Sequence, residues 1–337
     1  MIIGGSDLGH RRLLIAEIGN NHEGDASAAL EMVSEAAEAG VDAVKVQVVN
    51  PDKLVNRSQK ERVAQLSRFR LPFETFAQMA ELARARGLLF FASAFDDESL
   101  DRIAPLLDAV KIASGDLDFG ILLSRAAKLN KPIMLSTGMS TMDEVAAAVS
   151  IIRDNIAEGR QLHEMLALLH CVSLYPAPLA QANLRGIQTL WDRFGLTVGY
   201  SDHTLGIEAA VVSLGLGARI IEKHFTLDKN RSSFRDHALS ADPAEMRRLA
   251  AVTHAFDEML GSGEKAPSAE EQQTAASARR SIVAARDLAA GRRLSLDDFD
   301  YVRPRNGLPP KAAQNLVGRK LRMALSAHDP VLESHVE

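Results

Sequence analysis

Five side chains that could carry acid–base, charge or metal chemistry each lie within or just after a short apolar run. They are Glu17, Lys45, Lys111, His203 and His224. A buried lysine needs a negative partner, which a phosphate or carboxylate of a ligand would supply. Two histidines could hold one divalent metal ion and leave its other positions open for water and substrate. Glu17 could act as a general base or bind a hydroxyl group. These residue types predict metal-assisted chemistry on a phosphorylated or carboxylated small molecule.

Small hydroxyl residues recur at the same positions relative to the apolar runs. Serine hydroxyls and nearby backbone N–H groups can donate the remaining hydrogen bonds to such an anion. These serines are Ser93, Ser114, Ser136, Ser173 and Ser201. The same residue types also cap helices, and Ser140 and Thr141 are better explained in that way. Thr141 and Glu144 have the spacing of a capping box, which predicts the start of a helix.

Eight short apolar runs, rich in β-branched residues, predict the strands that position these side chains. Stretches of helical length separate most of them, and this alternation favours a parallel (β/α)8 TIM barrel, an α/β fold of about 250 residues with its site at the carboxyl ends of the strands. An open doubly wound sheet is the alternative, but no G-x-G-x-x-G or Walker motif follows the first run. The predicted strands are 13–18, 43–49, 88–92, 109–113, 132–135, 165–172, 196–200 and 218–222.

The character of the sequence changes after Gly261, which predicts three segments. Residues 1–260 form the barrel, the polar residues 261–277 form a linker, and residues 278–337 form a small module of short strands and turns. Residues 50–70, after the second predicted strand, are long for a barrel loop and are expected to shape the site. Asp242 followed by Pro243 predicts the start of a helix that runs towards Met259.

Composition and charge exclude several classes of protein. Of 337 residues, 46% are hydrophobic, and the formal net charge is −5, so general binding to nucleic acid or anionic membranes is not expected. No apolar run approaches the ~20 residues of a membrane span, and the N-terminus lacks a signal-peptide core. The only cysteine, Cys171, excludes an intramolecular disulfide and favours a cytoplasmic location.

Seven ordered motifs at the predicted strand ends resemble the sialic acid synthase family, which includes N-acetylneuraminate, legionaminate and pseudaminate synthases. The resemblance extends from about residue 13 to the C-terminus, where the tail resembles the SAF (antifreeze-like, β-clip) domain of these enzymes. It implies a transferase that condenses phosphoenolpyruvate with an N-acyl hexosamine-type aldose. The product is a nine-carbon 2-keto-3-deoxy (nonulosonic) acid, and phosphate leaves by C–O cleavage. The motifs are IAEIGNNHEG at 15–24, VKVQ at 44–47, VKIASGD at 110–116, LSTGM at 135–139, LHCVSLYPAP at 169–178, GYSDHTLG at 199–206 and IEKHFTLDK at 221–229.

The resemblance also implies roles for individual residues. His203 and His224 would hold Mn²⁺ or Mg²⁺. The segment VRPRNG at 302–307 would bring Arg303 to the sugar of the other subunit in a domain-swapped homodimer. The phosphoenolpyruvate site would consist of Lys45, Ser93, Lys111, Ser114, Ser136, Ser173 and Ser201. The sugar site would consist of Glu17, Gln47, Tyr175, Asp236 and Arg303.

Three departures from the family pattern concern the sugar end of the site. Phe234 and Arg235 precede Asp236 where many members have a small-residue turn, and Arg305 replaces a small residue. These side chains predict an altered acceptor preference, with a modified bacterial sugar for a surface glycan as reasonable a candidate as N-acetylmannosamine. Neither the acceptor, nor the metal, nor the destination of the product follows from the sequence.

Three other functions fit parts of the pattern. A barrel aldolase could form a Schiff base with Lys45, Lys111 or Lys223. A related synthase could condense phosphoenolpyruvate with a sugar phosphate to give a non-sialic 2-keto-3-deoxy acid, although the C-terminal tail opposes this. A sugar- or ice-binding protein could depend on the tail alone, although the full set of polar residues in the barrel opposes this.

Overall fold

Two separate units make up the chain in the computed structural model, which describes residues 1–337. The first is Met1–Leu260 and the second is Gly261–Glu337. The strands of the first unit are β1 Ile2–Ile3, β2 Ser6–Asp7, β3 Leu13–Gly19, β4 Ala43–Val48, β5 Leu89–Ala94, β6 Ala109–Ile112, β7 Ile133–Ser136, β8 Leu166–Cys171, β9 Thr197–Asp202 and β10 Ile220–His224. Its helices are α1 Ala26–Glu38, α2 Pro51–Leu54, α3 Lys60–Phe69, α4 Phe73–Ala85, α5 Asp97–Ile103, α6 Gly120–Lys128, α7 Met142–Arg153, α8 Leu162–Met165, α9 Gly186–Phe194, α10 Glu208–Gly215, α11 Arg235–Leu239 and α12 Pro243–Leu260.

Strands β3 to β10 form a closed parallel barrel in chain order, and β10 pairs with β3 to complete it. The predicted TIM barrel is therefore confirmed, and the open doubly wound sheet is excluded. All eight predicted strands are present, with ends shifted by no more than about two residues, as is usual for element boundaries.

Alternation of side chains along each strand divides the apolar residues into two layers. Residues such as Leu14 and Ala16 face outwards and pack with the helices. Residues such as Ile15, Phe91 and Met134 face the barrel axis and fill its lower part. Ile3 from the β1–β2 hairpin joins this inner cluster. The barrel is thus a packed core below, which confines any cavity to the carboxyl ends of the strands.

Helices α7 and α12 begin at the predicted residues. The Glu144 N–H donates to Thr141 Oγ1 at 3.3 Å, and the Thr141 N–H donates to Glu144 Oε2 at 2.7 Å, so the capping box is formed. The Glu245 N–H donates to Asp242 Oδ1 at 2.9 Å, and Pro243 occupies the first turn of α12. The stretch 50–70 is not the irregular loop that was expected, because most of it folds into α2 and α3.

The second unit contains α13 Ala269–Ala278, β11 Ser281–Ala284, β12 Phe299–Val302 and α14 Ala313–Leu316. Strands β11 and β12 pair antiparallel over a small core that includes Ile282, Phe299 and Val331. All but the last residue of helix α13 lies in the stretch 261–277 that was predicted to be a linker. Ser268 caps it by accepting from the Glu271 N–H at 3.2 Å, and its alanine, glutamate and glutamine residues favour helix, so much of this stretch is helical.

Candidate active site

The top layer of the barrel interior is polar. In each strand, the residue two positions after the last apolar inward-facing residue also faces inward, and in most strands it is polar. Glu17 follows inward-facing Ile15 at a spacing of two residues, and Ser136 follows Met134 in the same way. Strand register then places neighbours side by side, as for Glu17 opposite Lys45 and Ser201 opposite Glu222. The inward polar layer consists of Glu17, Lys45, Ser93, Lys111, Ser136, Cys171, Ser201 and Glu222.

A cavity of about 410 Å³ opens above this layer and collects the predicted site residues of the barrel. Loops after the strands add Ser114, Ser173, Tyr175 and His203 to it, and Asp236 comes from α11. Arg303 alone belongs to the second unit, where it is exposed in the segment after β12. The predicted residues of this cavity are Glu17, Lys45, Gln47, Ser93, Lys111, Ser114, Ser136, Ser173, Tyr175, Ser201, His203, His224 and Asp236.

The ammonium group of Lys45 has protein carboxylates as partners. Its Nζ lies 2.8 Å from Glu17 Oε2 and 3.7 Å from Glu222 Oε2. Burial alone would lower the pKa of Lys45, but the two glutamates raise it above its ordinary value. Lys45 therefore stays charged without a ligand. From the sequence, a substrate anion was expected to compensate this charge, but the partner in the structure is Glu17, which the register places opposite Lys45 on the adjacent strand.

Lys111 is held differently and is less fully paired. Its Nζ donates to Ser136 Oγ at 2.6 Å and to the Ile112 carbonyl at 2.9 Å, while Glu222 Oε2 lies 4.0 Å away. Burial lowers the pKa of Lys111 despite the attraction of Glu222. The nearest carboxylate to Lys111 is thus at the distance limit of an ion pair, so Lys111 can bind an anion that enters the cavity.

Glu222 is a site residue to which sequence reasoning gave no role. It is buried between the two lysines and accepts a hydrogen bond from Ser201 Oγ at 2.8 Å. Burial alone would raise the pKa of Glu222, but Lys111 and Lys45 lower it. The signal was available, because Glu222 is two residues before His224 on the same strand and must face the same side.

The two histidines lie close together, with ring centroids 5.4 Å apart. His203 Nδ1 is 2.9 Å from the Val172 carbonyl oxygen, which accepts its proton and leaves Nε2 with a free lone pair. His224 is buried, its Nδ1 has no hydrogen-bond partner, and burial together with His203 lowers its pKa well below the ordinary value. Burial alone would lower the pKa of His203, but Cys171 and the Val172 carbonyl raise it. His224 therefore has the neutral form, and each ring has a nitrogen that a metal ion could bind.

The predicted sugar residues line the same cavity, and the Tyr175 ring packs against His203 with centroids 4.2 Å apart. Gln47 Nε2 donates to Glu17 Oε1 at 2.8 Å, and Gln47 Oε1 accepts from Asn20 Nδ2 at 2.9 Å. The Arg235 guanidinium lies 4.5 Å from the centre of the Tyr175 ring, and its Nε donates to Asp236 Oδ1 at 3.1 Å. Arg235 therefore contacts two predicted sugar-binding residues directly.

Comparison with known proteins identifies the family. The sequence model of the NeuB family matches residues 32–265, and that of the SAF domain matches residues 279–337. The chain belongs to the NeuB family. The resemblance described from its motifs is thereby confirmed, as is the C-terminal SAF domain.

Named relatives of this NeuB-family chain are synthases. An N,N'-diacetyllegionaminic acid synthase of Legionella pneumophila is 40% identical over 96% of this chain and 94% of the relative. A pseudaminic acid synthase of Campylobacter jejuni is 33% identical over 99% of both chains. The crystal structure of an N-acetylneuraminic acid synthetase from Leptospira borgpetersenii, in complex with citrate, has a TM-score of 0.74 and 34% identity. It covers 81% of this chain and 94% of that one.

Membership of the NeuB family makes the protein an enzyme of the synthase class and sets aside the sugar- or ice-binding alternative. The geometry also removes one lysine from the Schiff-base alternative. Lys223 alternates with Glu222 and His224, faces away from the cavity, and has its Nζ 3.0 Å from Asp202 Oδ2. No helix in the structure combines the length and the apolar character that crossing a membrane requires.

Proposed function

We propose that this NeuB-family enzyme condenses phosphoenolpyruvate with an N-acyl hexosamine-type aldose, giving a nine-carbon 2-keto-3-deoxy acid and phosphate. The observation that carries the proposal is the single cavity in which Lys45, Lys111 and five serines surround one space beside two histidines. The names of the legionaminic and pseudaminic acid synthases among its relatives support the same reaction class.

The enol phosphate binds at the lysine and serine side of the cavity. Lys111, with Ser136 at 2.6 Å, neutralises the anion together with Lys45, and Ser114 and Ser173 donate from the loops above. Gly138 keeps this space open, because a Cβ at that position would collide with the hydroxyl groups of Ser173 and Ser114. Donors fixed in this way stabilise the phosphate as it leaves by C–O cleavage.

His203 and His224 would hold a divalent cation, Mn²⁺ or Mg²⁺. The residues fit such an ion, since the Val172 carbonyl fixes the tautomer of His203 and the buried Nδ1 of His224 has no protein partner. The chain offers no cluster of three or more ligating side chains here, which leaves positions for water and for a substrate oxygen. When bound, the metal would polarise the aldehyde of the acceptor for attack by C3 of the enol.

Gln47, Tyr175 and Asp236 bind the acceptor sugar in the same cavity, and Glu17 handles a proton or holds the reacting hydroxyl. Arg303 of a second copy completes this end of the site in a domain-swapped homodimer. Because Arg235 stacks on Tyr175 and pairs with Asp236, it reshapes the sugar end of the site. This contact supports a modified bacterial acceptor in place of N-acetylmannosamine.

The test follows phosphate release from phosphoenolpyruvate labelled with ¹⁸O in its bridging oxygen, with Mn²⁺ and a panel of N-acylated aldoses. C–O cleavage predicts that the label leaves in the phosphate and that the new keto oxygen comes from solvent. Chelation should stop the reaction, and Mn²⁺ should restore it. Phosphate that carries solvent oxygen, or an adduct with substrate trapped by borohydride on Lys45 or Lys111, would contradict the proposal and support P–O cleavage or a Schiff-base aldolase.

A further inference from the structure

A fully buried ion pair lies next to the two histidines in the chain but outside the cavity. Lys223 of β10 and Asp202 of β9 are opposite one another in the strand register, and Lys223 Nζ lies 3.0 Å from Asp202 Oδ2. Asp202 precedes His203, and Lys223 precedes His224. Neither member of the pair lines the cavity, so neither can contact a substrate there.

The surroundings of this pair are apolar. Tyr200 and Ile221, two residues earlier on the same strands, belong to the layer between the barrel and its helices, and the Tyr200 hydroxyl donates to Asp202 Oδ1 at 3.2 Å. Removing two charges from water largely offsets their attraction, and well-packed apolar side chains can often replace such a pair without loss of stability. The position that the pair fixes is therefore a better explanation for it than stability.

The pair holds the backbone on both sides of His203. Asp202 Oδ1 accepts from the Thr204 N–H at 2.8 Å, and Lys223 Nζ donates to the Thr204 carbonyl oxygen. His203 thus lies between two residues that are bound to Lys223 or to its partner, and Lys223 is itself the neighbour of His224. One network therefore determines where the two histidine backbones lie relative to each other.

We infer that Lys223 and Asp202 are positioning residues that set the placement of His203 relative to His224, and through it the affinity for the divalent cation. The two rings, with centroids 5.4 Å apart, come from different strands, so their spacing depends on how the segment after β9 is held against β10. Residues that orient metal ligands typically change metal affinity by about tenfold to a hundredfold. The inference rests on the proposed function, since it concerns the cation assigned there.

The test combines Lys223→Met with Asp202→Asn in the full-length protein. Both charges are removed together, so no unpaired charge stays buried, and the asparagine keeps an oxygen for the Thr204 N–H. The link from β10 to the Thr204 carbonyl is lost. The Kd for Mn²⁺ without substrates, measured from the paramagnetic resonance signal of free Mn²⁺, should rise about tenfold or more. The Kd of the metal-free protein for phosphoenolpyruvate, measured by calorimetry, should change less than about twofold.

Two controls separate this effect from general destabilisation. Arg12→Met combined with Asp257→Asn removes another ion pair with a buried cation, 2.9 Å long, just before β3. It should lower the melting temperature and leave the Kd for Mn²⁺ unchanged. Thr204→Val removes only a buried hydroxyl that has no hydrogen-bond partner and keeps both backbone groups of the network, so it should also leave this Kd unchanged.

Tyr200→Phe is the milder variant and decides the matter if the double variant does not fold. It removes one hydrogen bond to Asp202 and should raise the Kd for Mn²⁺ about threefold. An unchanged Kd in the variant that decides, or an equal rise in the Arg12 control, would overturn the inference. If wild type binds no Mn²⁺, or binds it equally well after His203→Ala, the proposed metal site is wrong, and the inference with it.

Discussion

Glu17 illustrates how one buried carboxylate is fixed by its strand neighbours. Its two oxygens are engaged by Lys45 and Gln47, each at 2.8 Å. Glu17→Gln keeps the size of the side chain but removes the charge and the proton-accepting oxygen. We expect kcat to fall by about two orders of magnitude or more, while phosphoenolpyruvate still binds because Lys111 and the serines are unchanged. Phosphate release and calorimetric titration with phosphoenolpyruvate would measure the two effects.

The outcome separates a chemical role of Glu17 from an organising one. Near-normal turnover would show that Glu17 is dispensable. Loss of phosphoenolpyruvate binding in parallel with turnover would show that Glu17 mainly holds Lys45 in place. Gln47→Glu is unsuitable as a control because it would add a charge at the same point, so Glu208→Gln on α10, outside the cavity, is the matched control.

Asp116 offers a test of the electrostatics of the cavity that does not depend on the reaction. Burial raises the pKa of Asp116 to about 6, against the opposing effect of Lys111. The folded protein therefore resists its ionisation, and stability falls as pH rises from about 4 to about 6. Asp116→Asn should be more stable than wild type at pH 8 by roughly 1–2 kcal/mol, after allowance for solvent screening. This advantage should disappear near pH 4.

Urea unfolding of wild type and Asp116→Asn at both pH values would measure this difference. Asp192→Asn, at an exposed position on α9, serves as the control. An advantage that is equal at pH 4 and pH 8 would mean that the variant acts through packing and not through the ionisation of Asp116.

The residues that sequence analysis brought together share a simple property. Glu17, Lys45, Lys111 and His224 are polar residues that interrupt apolar strands, so their burial near one another follows once a barrel is assumed. Glu222 was given no role, although its spacing of two residues from the predicted ligand His224 places both side chains on the same side of the strand. The pairing of Lys45 with Glu17 required the register between two strands, and that is set by three-dimensional packing.

At the level of elements, local signals predicted the starts of helices well and the irregular segments poorly. The side chains of Thr141 and Asp242 each accept a hydrogen bond from a backbone N–H group three residues later, so their effect is visible in the local sequence. The segment between β4 and α4 and the stretch before β11 were expected to be loop and linker. Both contain short helices, one of them stabilised by packing of Phe69 and the other by the cap at Ser268.

The turn before β12 depends on one buried carboxylate. Asp298 binds Arg286 at 2.8 Å, Arg292 at 2.8 Å and the Ser295 N–H at 3.0 Å. Burial alone would raise the pKa of Asp298, but these donors hold it well below its usual range. Asp298→Asn should destabilise the second unit by roughly 2–3 kcal/mol at neutral pH, because charge-assisted hydrogen bonds are lost.

Amide exchange at β11 and β12 in the full-length protein would measure this destabilisation. Exposed Asp297→Asn is the matched control and should leave the exchange rates unchanged. A carboxylate whose pKa is lowered by folding stabilises the protein at pH values above its pKa in the unfolded chain. This stabilisation is lost as the pH falls towards the pKa in the folded protein. The difference between wild type and Asp298→Asn should therefore narrow below about pH 4, and a difference independent of pH would contradict the electrostatic explanation.

At the level of the whole molecule, the net charge of −5 describes the surface and not the site. The cavity contains two lysines whose positive charges are offset by two glutamates. The formal charge of these four residues therefore sums to zero, and binding of an anion adds negative charge to the site. Global composition gave only the expectation that nucleic acid is not a partner, whereas the barrel topology brings together residues that are as much as two hundred positions apart.

In the proposed domain swap, each active site contains residues from two copies of the chain. If Arg303 of one copy completes the sugar site in the barrel of the other, Arg303→Ala should raise the sugar KM and leave phosphoenolpyruvate binding nearly intact.

The swap also predicts complementation between Arg303→Ala and Glu17→Gln. A mixed dimer would contain one intact site, with Glu17 from the first chain and Arg303 from the second. Random pairing of co-expressed chains should restore about a quarter of wild-type activity. Separately purified variants that were never allowed to exchange subunits are the control, and activity no greater than their sum would show that Arg303 does not serve the site of a partner.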